Sequence, residues 1–337
     1  MRQLTNGNVY RVIGLFISVF VLVVSFLCSM KYGFLPISWQ DIIGAFKNYD
    51  NTDMDQVVVQ TSRLPRALIA ATVGASLALA GAILQAVTRN AMASPSILGI
   101  NAGASVAVVF AITILNVRDM NVLTWVSFGG AAVASGCVYV LGSLGRESLS
   151  PLKIILAGAA MTALFSSATQ GMLVLNENGL QDVMFWLAGS VGGRSMESLL
   201  PVLPYLCIGW IGAILMSRQW NVLLMGEESA KGLGQHIISV KIIAALLVVL
   251  LAGSAVAVSG PIGLVGIIVP HIARKVVGQD YRWLIPYSAL FGAILLLLAD
   301  VAARFILFPI EVPVGLMTAA IGAPFFIYLA RKGMVKR

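Results

Sequence analysis

Charged residues are scarce in this sequence. Only 11% of the 337 residues are charged, 59% are hydrophobic, and the mean hydropathy is +0.93. So little polar surface cannot cover a soluble globule of this length. The composition therefore excludes a soluble enzyme or binding module and indicates an integral membrane protein.

Residues that ligate metals or carry redox chemistry are also rare. The chain has two histidines, His236 and His271, and three cysteines, Cys28, Cys137 and Cys207, with no CxxC pair and no HExxH motif. The cysteines fall in or at the edges of apolar runs, so we expect them to pack as small apolar side chains. We predict no metal site, and the missing protease motifs argue against an intramembrane protease.

Apolar runs long enough to cross a bilayer make up most of the chain. A hydrocarbon core about 30 Å thick needs roughly 20 apolar residues per helix. Ten runs approach this length, and we predict an all-α membrane protein with spans at about 12–30, 66–88, 97–115, 121–143, 152–175, 198–217, 238–258, 261–277, 284–308 and 314–330. No linker or soluble module interrupts them, which predicts a single transmembrane domain over 1–337.

The basic residues suggest an orientation. The formal net charge is +8, and most Lys and Arg residues fall on one side if both termini are cytoplasmic. The positive-inside rule explains this bias without nucleic acid, which we exclude as a partner. With this orientation, the longer connections are an outer segment at 31–62 and an inner segment at 221–236.

The inner segment has the pattern of a short capped helix. Glu227 and Glu228 stand at its start, where negative charge suits the helix dipole, and Gly232 and Gly234 stand near its end. Such a helix can form a rigid docking surface for a soluble partner, but a solvated loop with ordinary caps explains the pattern equally well.

Three arginines are predicted at the outer face. Arg63 and Arg66 head the second span, and Arg304 lies four residues after Asp300 near the end of the ninth. Four-residue spacing on a helix allows an ion pair between Asp300 and Arg304. Because charge is costly at this depth, the cluster is a functional candidate, although a purely structural ion pair is an equal alternative.

Taken together, these segments resemble the FecCD family of permeases from ABC importers for iron-siderophores, haem and vitamin B12. The resemblance rests on "SRLPRALIAATVGASLALAGAILQ", "NAMASPSILGINAGAS", "GEESAKGLG", "GPIGLVGIIVPHIAR", "LLADVAARF" and "VPVGLMTAAIGAPFFIYL", in the family's order. It implies a vitamin B12 permease-like type II importer fold of ten helices in a bacterial cytoplasmic membrane. It also implies a second permease subunit, identical or homologous, two ATPase subunits that use ATP and Mg, and an extracytoplasmic substrate-binding protein.

The resemblance assigns roles to particular residues. Arg63, Arg66 and Arg304 would meet glutamates on the binding protein, since a guanidinium forks onto carboxylates and gives orientation to an encounter. The coupling segment for the ATPase would comprise Glu227, Glu228, Ser229, Ala230, Gly232, Leu233 and Gly234. The gate and pathway would comprise Asn90, Met92, Thr162, Ser166, Ser167, Thr169 and Gln170.

The leading hypothesis is therefore a permease subunit, not an enzyme, that moves an iron-siderophore inward. This chain would bind no cofactor, because it contains no GxxxxGK[ST] motif for a nucleotide. An importer of vitamin B12 or haem with the same architecture is the alternative. An ion-coupled secondary transporter would need acids or histidines near the middle of the membrane to carry the coupling ion. It is disfavoured because Asp300 is the only candidate and has Arg304 nearby.

Overall fold

The computed structural model describes residues 2–144, 151–175, 183–308 and 310–334, and most of this part of the chain is helical. The described helices of six residues or more are α1 (Arg2–Lys31), α2 (Trp39–Lys47), α3 (Met54–Thr88), α4 (Ile100–Thr113), α5 (Met120–Ser143), α6 (Pro151–Leu175), α7 (Leu203–Leu215), α8 (Ser217–Leu224), α9 (Glu227–Gly232), α10 (Ile237–Ser259), α11 (Val265–Val277), α12 (Tyr281–Ala303) and α13 (Val314–Met334). Six of them, α1, α3, α5, α6, α10 and α12, are long and apolar enough to cross a membrane. The all-α membrane fold is thus confirmed, and a helix coincides with each of the ten predicted spans.

Two predicted boundaries were wrong, both at the end of the bundle that the positive-inside rule predicts to be outer. Outer and inner refer below to this predicted orientation. The second span was expected to start at 66, but α3 begins at Met54, where Asp53 caps it by accepting a hydrogen bond from the Asp55 amide. A π-helical turn at Val59–Arg63 then carries the helix into the apolar run. The ninth span was expected to reach 308, but α12 ends at Ala303, so Arg304 is the first residue beyond the helix.

Helix α3 forms the centre of the bundle and packs most closely against α12. A Cβ atom added to Gly74 would lie 2.2 Å from the carbonyl oxygen of Gly292, and one added to Gly292 would lie 2.3 Å from that of Gly74. Further along α3, Gly81 approaches the backbone of Gly266 in α11 just as closely. Small residues permit this approach, which supplies the van der Waals contact that holds helices together in lipid.

The chain is irregular at the inner end of α3. Arg89 ends the helix in the left-handed conformation, with φ of 49°. A 3₁₀ turn at Pro95–Leu98 follows, and Gly99, with φ of 69°, leads into α4. Gly99 therefore makes the turn, whereas Gly103 makes the close contact with α5, where its added Cβ would lie 2.6 Å from the Gly130 carbonyl oxygen.

Candidate functional sites

The outer end of the bundle contains a cluster of five charged side chains, which we call the outer charge cluster: Arg63, Arg66, Asp300, Arg304 and Glu311. Arg66 joins both acids. Its Nε lies 3.0 and 3.1 Å from the carboxylate oxygens of Asp300, and its Nη1 lies 2.9 Å from both oxygens of Glu311. Asp300 is fully buried, whereas the Glu311 side chain is 35% exposed, so Arg66 has one inner and one outer carboxylate.

Arg304 and Arg63 are held mainly by the end of α1 and the segment after it. Arg304 donates to the carbonyl oxygens of Ser29 at 2.8 Å and Tyr32 at 2.6 Å, and it pairs with Asp300. Arg63 donates to the carbonyl oxygens of Tyr32 at 2.7 Å and Leu35 at 3.2 Å. These carbonyls lie where the chain leaves α1, so the arginines fix the outer connection to the bundle.

The structure therefore brings together the three arginines that the sequence analysis singled out, and the predicted pairing of Asp300 with Arg304 is present. All three arginines are buried, with at most 9% of their surface exposed to solvent. Burial of like charges is tolerated because Asp300 lies between Arg66 and Arg304 and bonds to both. Sequence reasoning missed Glu311, for which the only signal was a lone acid in the connection between the last two spans.

At the opposite end of the bundle, α9 and the residues after it form an exposed surface. Gly226 and Gly234 have φ values of 107° and 80°, which only glycine adopts freely, so they set the bends on either side of α9. Ala230 is completely buried and anchors the helix, whereas Leu233 is 65% exposed. A Cβ atom added at Gly232 would have no neighbouring atom within 4 Å, so the exposed face of this segment is open.

Hydrogen bonds attach residues 221–236, which we call the α9 segment, to the bundle. Glu227 accepts a hydrogen bond at 2.8 Å from Lys241 in α10. Asn221 in α8 donates to Asp280 and accepts from the backbone amide of Tyr281, which starts α12. The segment is therefore attached to two membrane helices, α10 and α12. Its predicted charged and glycine residues lie together in α9 and in the bend that follows it.

Asn90 and Met92 lie in the exposed inner turn after α3. The Asn90 side chain accepts a hydrogen bond from the Met92 amide at 2.9 Å, which closes the turn. Buried Gln85 secures it by donating to the carbonyl oxygens of Ala93 at 3.3 Å and Gly266 at 3.1 Å, and Arg274 donates to its side-chain oxygen. The turn is thus tied to α11.

A polar cleft of about 340 Å³ runs between α4 and α6. Four predicted pathway residues line it together with two polar residues of α4 that the sequence analysis did not select: Thr162, Ser166, Thr169, Gln170, Asn101 and Ser105. The described lining carries no charged side chain, and Ser167 lies outside it on an exposed part of α6. Asn101 and Ser105 are four residues apart on one helix, which is the sequence signal that could have revealed them.

Helix α6 is the least buried of the six long apolar helices described. In the most apolar 18-residue stretch of α6, only 11% is buried inside the chain, compared with 78% in the corresponding stretch of α3. A helix so exposed, yet carrying a polar cleft, has a face suited to water or a second protein as well as to lipid. A charge cluster at one end of a helical bundle, an exposed short helix at the other end and a cleft lined by polar residues are typical of the membrane-spanning part of a transporter.

Comparison with known proteins shows which family of transport proteins this chain matches. A model of the FecCD transport family matches residues 21–332. The "Probable siderophore transport system permease protein YfiZ" of Bacillus subtilis is 51% identical over 315 residues, covering 94% of each chain. The "Fe(3+)-citrate import system permease protein YfmD" of the same organism is 44% identical over 321 residues, covering 95% of this chain and 91% of the relative.

A solved structure agrees with these sequence relatives. The chain resembles one from an ABC transporter described as of the metal-chelate type and caught in an inward-facing conformation, with a TM-score of 0.83 and 31% identity over 94% of this chain and 98% of the other. This chain therefore belongs to the FecCD transport family. It is a multi-pass permease of the cytoplasmic membrane and a transport subunit, not an enzyme.

Proposed function

We propose that the chain is the permease subunit of an ATP-driven importer that moves an iron-siderophore complex across the cytoplasmic membrane. The observation that carries the proposal is the 51% identity, over nearly the whole of both chains, with a permease named for siderophore transport. The uncharged polar cleft supports it, because a large hydrophilic chelate must pass along weak polar contacts and not be trapped by a tight pocket. Haem and vitamin B12 are the alternative cargoes.

The proposed assembly places this chain beside a second permease subunit. The exposed face of α6 and the cleft at Thr162, Ser166, Thr169 and Gln170 would form half of a shared pathway, with the turn at Asn90 and Met92 at its inner end. Two ATPase subunits would bind ATP and Mg and would contact the α9 segment. An extracytoplasmic binding protein would deliver the substrate to the outer charge cluster.

The direct test of function is uptake by cells that lack this gene. We expect a loss of radiolabelled iron accumulation from one or a few siderophores in a panel, restored by the intact gene. Labelled haem and vitamin B12 serve as comparators. If only haem or vitamin B12 uptake were lost, that compound would be the substrate in place of the iron-siderophore. Unchanged uptake of every compound would contradict the proposal.

The docking role has a test that keeps the buried arginines intact. Glu311 is the partly exposed partner of Arg66, so an acidic group of a binding protein would compete with it for the guanidinium. Glu311→Gln should therefore strengthen binding of the substrate-binding protein to the permease in nanodiscs by several-fold at low salt, with the gain reduced at high salt. Equal affinity of the intact protein and the variant would count against docking at this cluster.

A further inference from the structure

Large apolar side chains are exposed around the outer end of α1. We call this set the outer apolar collar: Phe34, Trp39, Ile43, Phe46 and Phe308. Their exposed fractions run from 37% for Phe34 to 64% for Phe308. An apolar patch of this kind marks an interaction surface, because isolated apolar residues are common on surfaces but contiguous large ones are not.

Helix α2 supplies most of the collar, and it is well formed. Ser38 and Asp41 make a capping box at its start. One face packs inward through Ile42 and Ala45, and the carbonyl of Ala45 accepts a hydrogen bond from Gln60 at 2.7 Å. The helix is therefore fixed to the bundle by a face that excludes the collar residues.

The outward face of α2 has the spacing of a second apolar stripe. Trp39, Ile43 and Phe46 are separated by four and three residues, so they lie along the same side of the helix. Gln40 and Lys47 lie toward the edge of that face and are exposed as well. Apolar side chains, including a tryptophan, beside polar ones are typical of a helix lying in a membrane interface.

Lys31 fixes the depth of the collar. It is the first charged residue after the apolar run of α1, so it marks the outer boundary of the hydrocarbon core. Its Nζ lies 4.7 Å from the centroid of the Trp39 ring, which places Trp39 at that boundary. Phe34 follows Lys31 by three residues, and its ring centroid lies 5.4 Å from that of Phe308.

We propose that the outer apolar collar inserts into the interfacial region of the outer leaflet, with lipid as its partner. The collar continues the surface of α1, where Val24 and Leu27 are exposed on a helix that spans the membrane. Lys31 and Lys47 flank α2 and suit lipid phosphates. The collar thereby holds the outer connection at the membrane surface, where the Tyr32 and Leu35 carbonyls accept from Arg63.

A fluorescent label on α2 tests this proposal independently of transport. In a background of Cys28→Ser, Cys137→Ser and Cys207→Ser, the variant Ile43→Cys would carry an environment-sensitive NBD label. The protein would be reconstituted into vesicles of phosphatidylcholine and phosphatidylglycerol, with or without lipid bearing a nitroxide near the top of the acyl chain. Gln40→Cys on the same helix is the matched control.

We expect the label at position 43 to emit at shorter wavelength and to lose about half of its fluorescence to the nitroxide lipid, because interfacial helices bury their apolar face about 5–10 Å deep. The label at position 40 should be quenched markedly less. Equal and weak quenching at both positions would overturn the proposal. So would shielding of position 43 that appears only when a substrate-binding protein is added, since that would identify a protein-docking surface. Unchanged thermal melting of both labelled variants checks that the fold is intact.

Discussion

Asp300 is the residue on which the outer charge cluster depends. It accepts hydrogen bonds from Arg66 and Arg304 and is itself almost completely buried. The two guanidinium groups come from different parts of the chain, so Asp300 joins the start of the apolar part of α3 to the end of α12. Glu311 bonds to the same Arg66 from a more exposed position.

This difference in burial gives a prediction about stability. Asp300→Asn should destabilise the purified permease by about 3–5 kcal/mol, because two buried cations lose the charge between them. Glu311→Gln should cost no more than about 1 kcal/mol, since its carboxylate is partly solvated. Thermal melting in detergent would measure both. Equal melting temperatures for the two variants would show that burial does not govern this cluster.

Among the elements, α6 combines low burial with a row of polar side chains. It is barely buried within its own chain, and it presents polar side chains to a cleft shared with α4. The Thr169 hydroxyl donates a hydrogen bond to the carbonyl oxygen of Phe165 at 2.8 Å. The described lining carries no charged side chain, so it offers only weak polar contacts. Such a surface suits passage better than tight binding.

The cleft can be tested with a control on the same helix. Thr162→Leu combined with Ser166→Leu should lower uptake about tenfold or more, because apolar bulk replaces polar surface along the proposed pathway, and tenfold corresponds to about 1.4 kcal/mol. Ser167→Leu, outside the cleft lining, should leave uptake close to that of the intact protein. Both variants should reach the membrane in equal amounts by immunoblot. An equal loss of uptake in the two variants would argue against a pathway at this cleft.

At the scale of the whole molecule, α3 and α12 form a connected pair that runs between the two ends of the bundle. Arg66 bonds to Asp300 at the outer end, Gly74 meets Gly292 in the middle, and the Tyr281 hydroxyl donates to the Ala82 carbonyl at 3.2 Å near the inner end. The start of α12 also bonds to Asn221, so this pair extends from the outer charge cluster to the α9 segment.

Coupling through that segment is testable at Gly232. Gly232→Trp should lower ATP hydrolysis stimulated by the loaded binding protein about tenfold in the assembled importer, because it would obstruct contact with the ATPase. Since Gly232 is exposed and a Cβ atom added there would have no neighbouring atom within 4 Å, melting of the isolated permease should not change. Gly129→Trp, at another open position in α5, is the control. Normal stimulation in the Gly232 variant would exclude this surface as the coupling site.

Much of this architecture follows from local sequence. Apolar run length located the helices, and capping and glycine patterns located the α9 segment. The boundaries failed at the outer side, because residues 54–62 are polar enough to resemble a loop although Asp53 starts a helix there. A hydropathy pattern also extends through Phe305–Phe308, where the helix has already ended.

The sequence by itself determined that this is a helical membrane protein, since continuous apolar runs of about 20 residues match the length of membrane-spanning helices, which satisfy their own backbone hydrogen bonds in lipid. It also determined which residue types carry charge at the outer face. Only the tertiary structure decided that Glu311 shares Arg66 with Asp300, that Asn101 and Ser105 complete the polar cleft, and that Trp39 lies beside Lys31. Each of these contacts joins residues on different elements, and their proximity depends on helix packing, which no local pattern specifies.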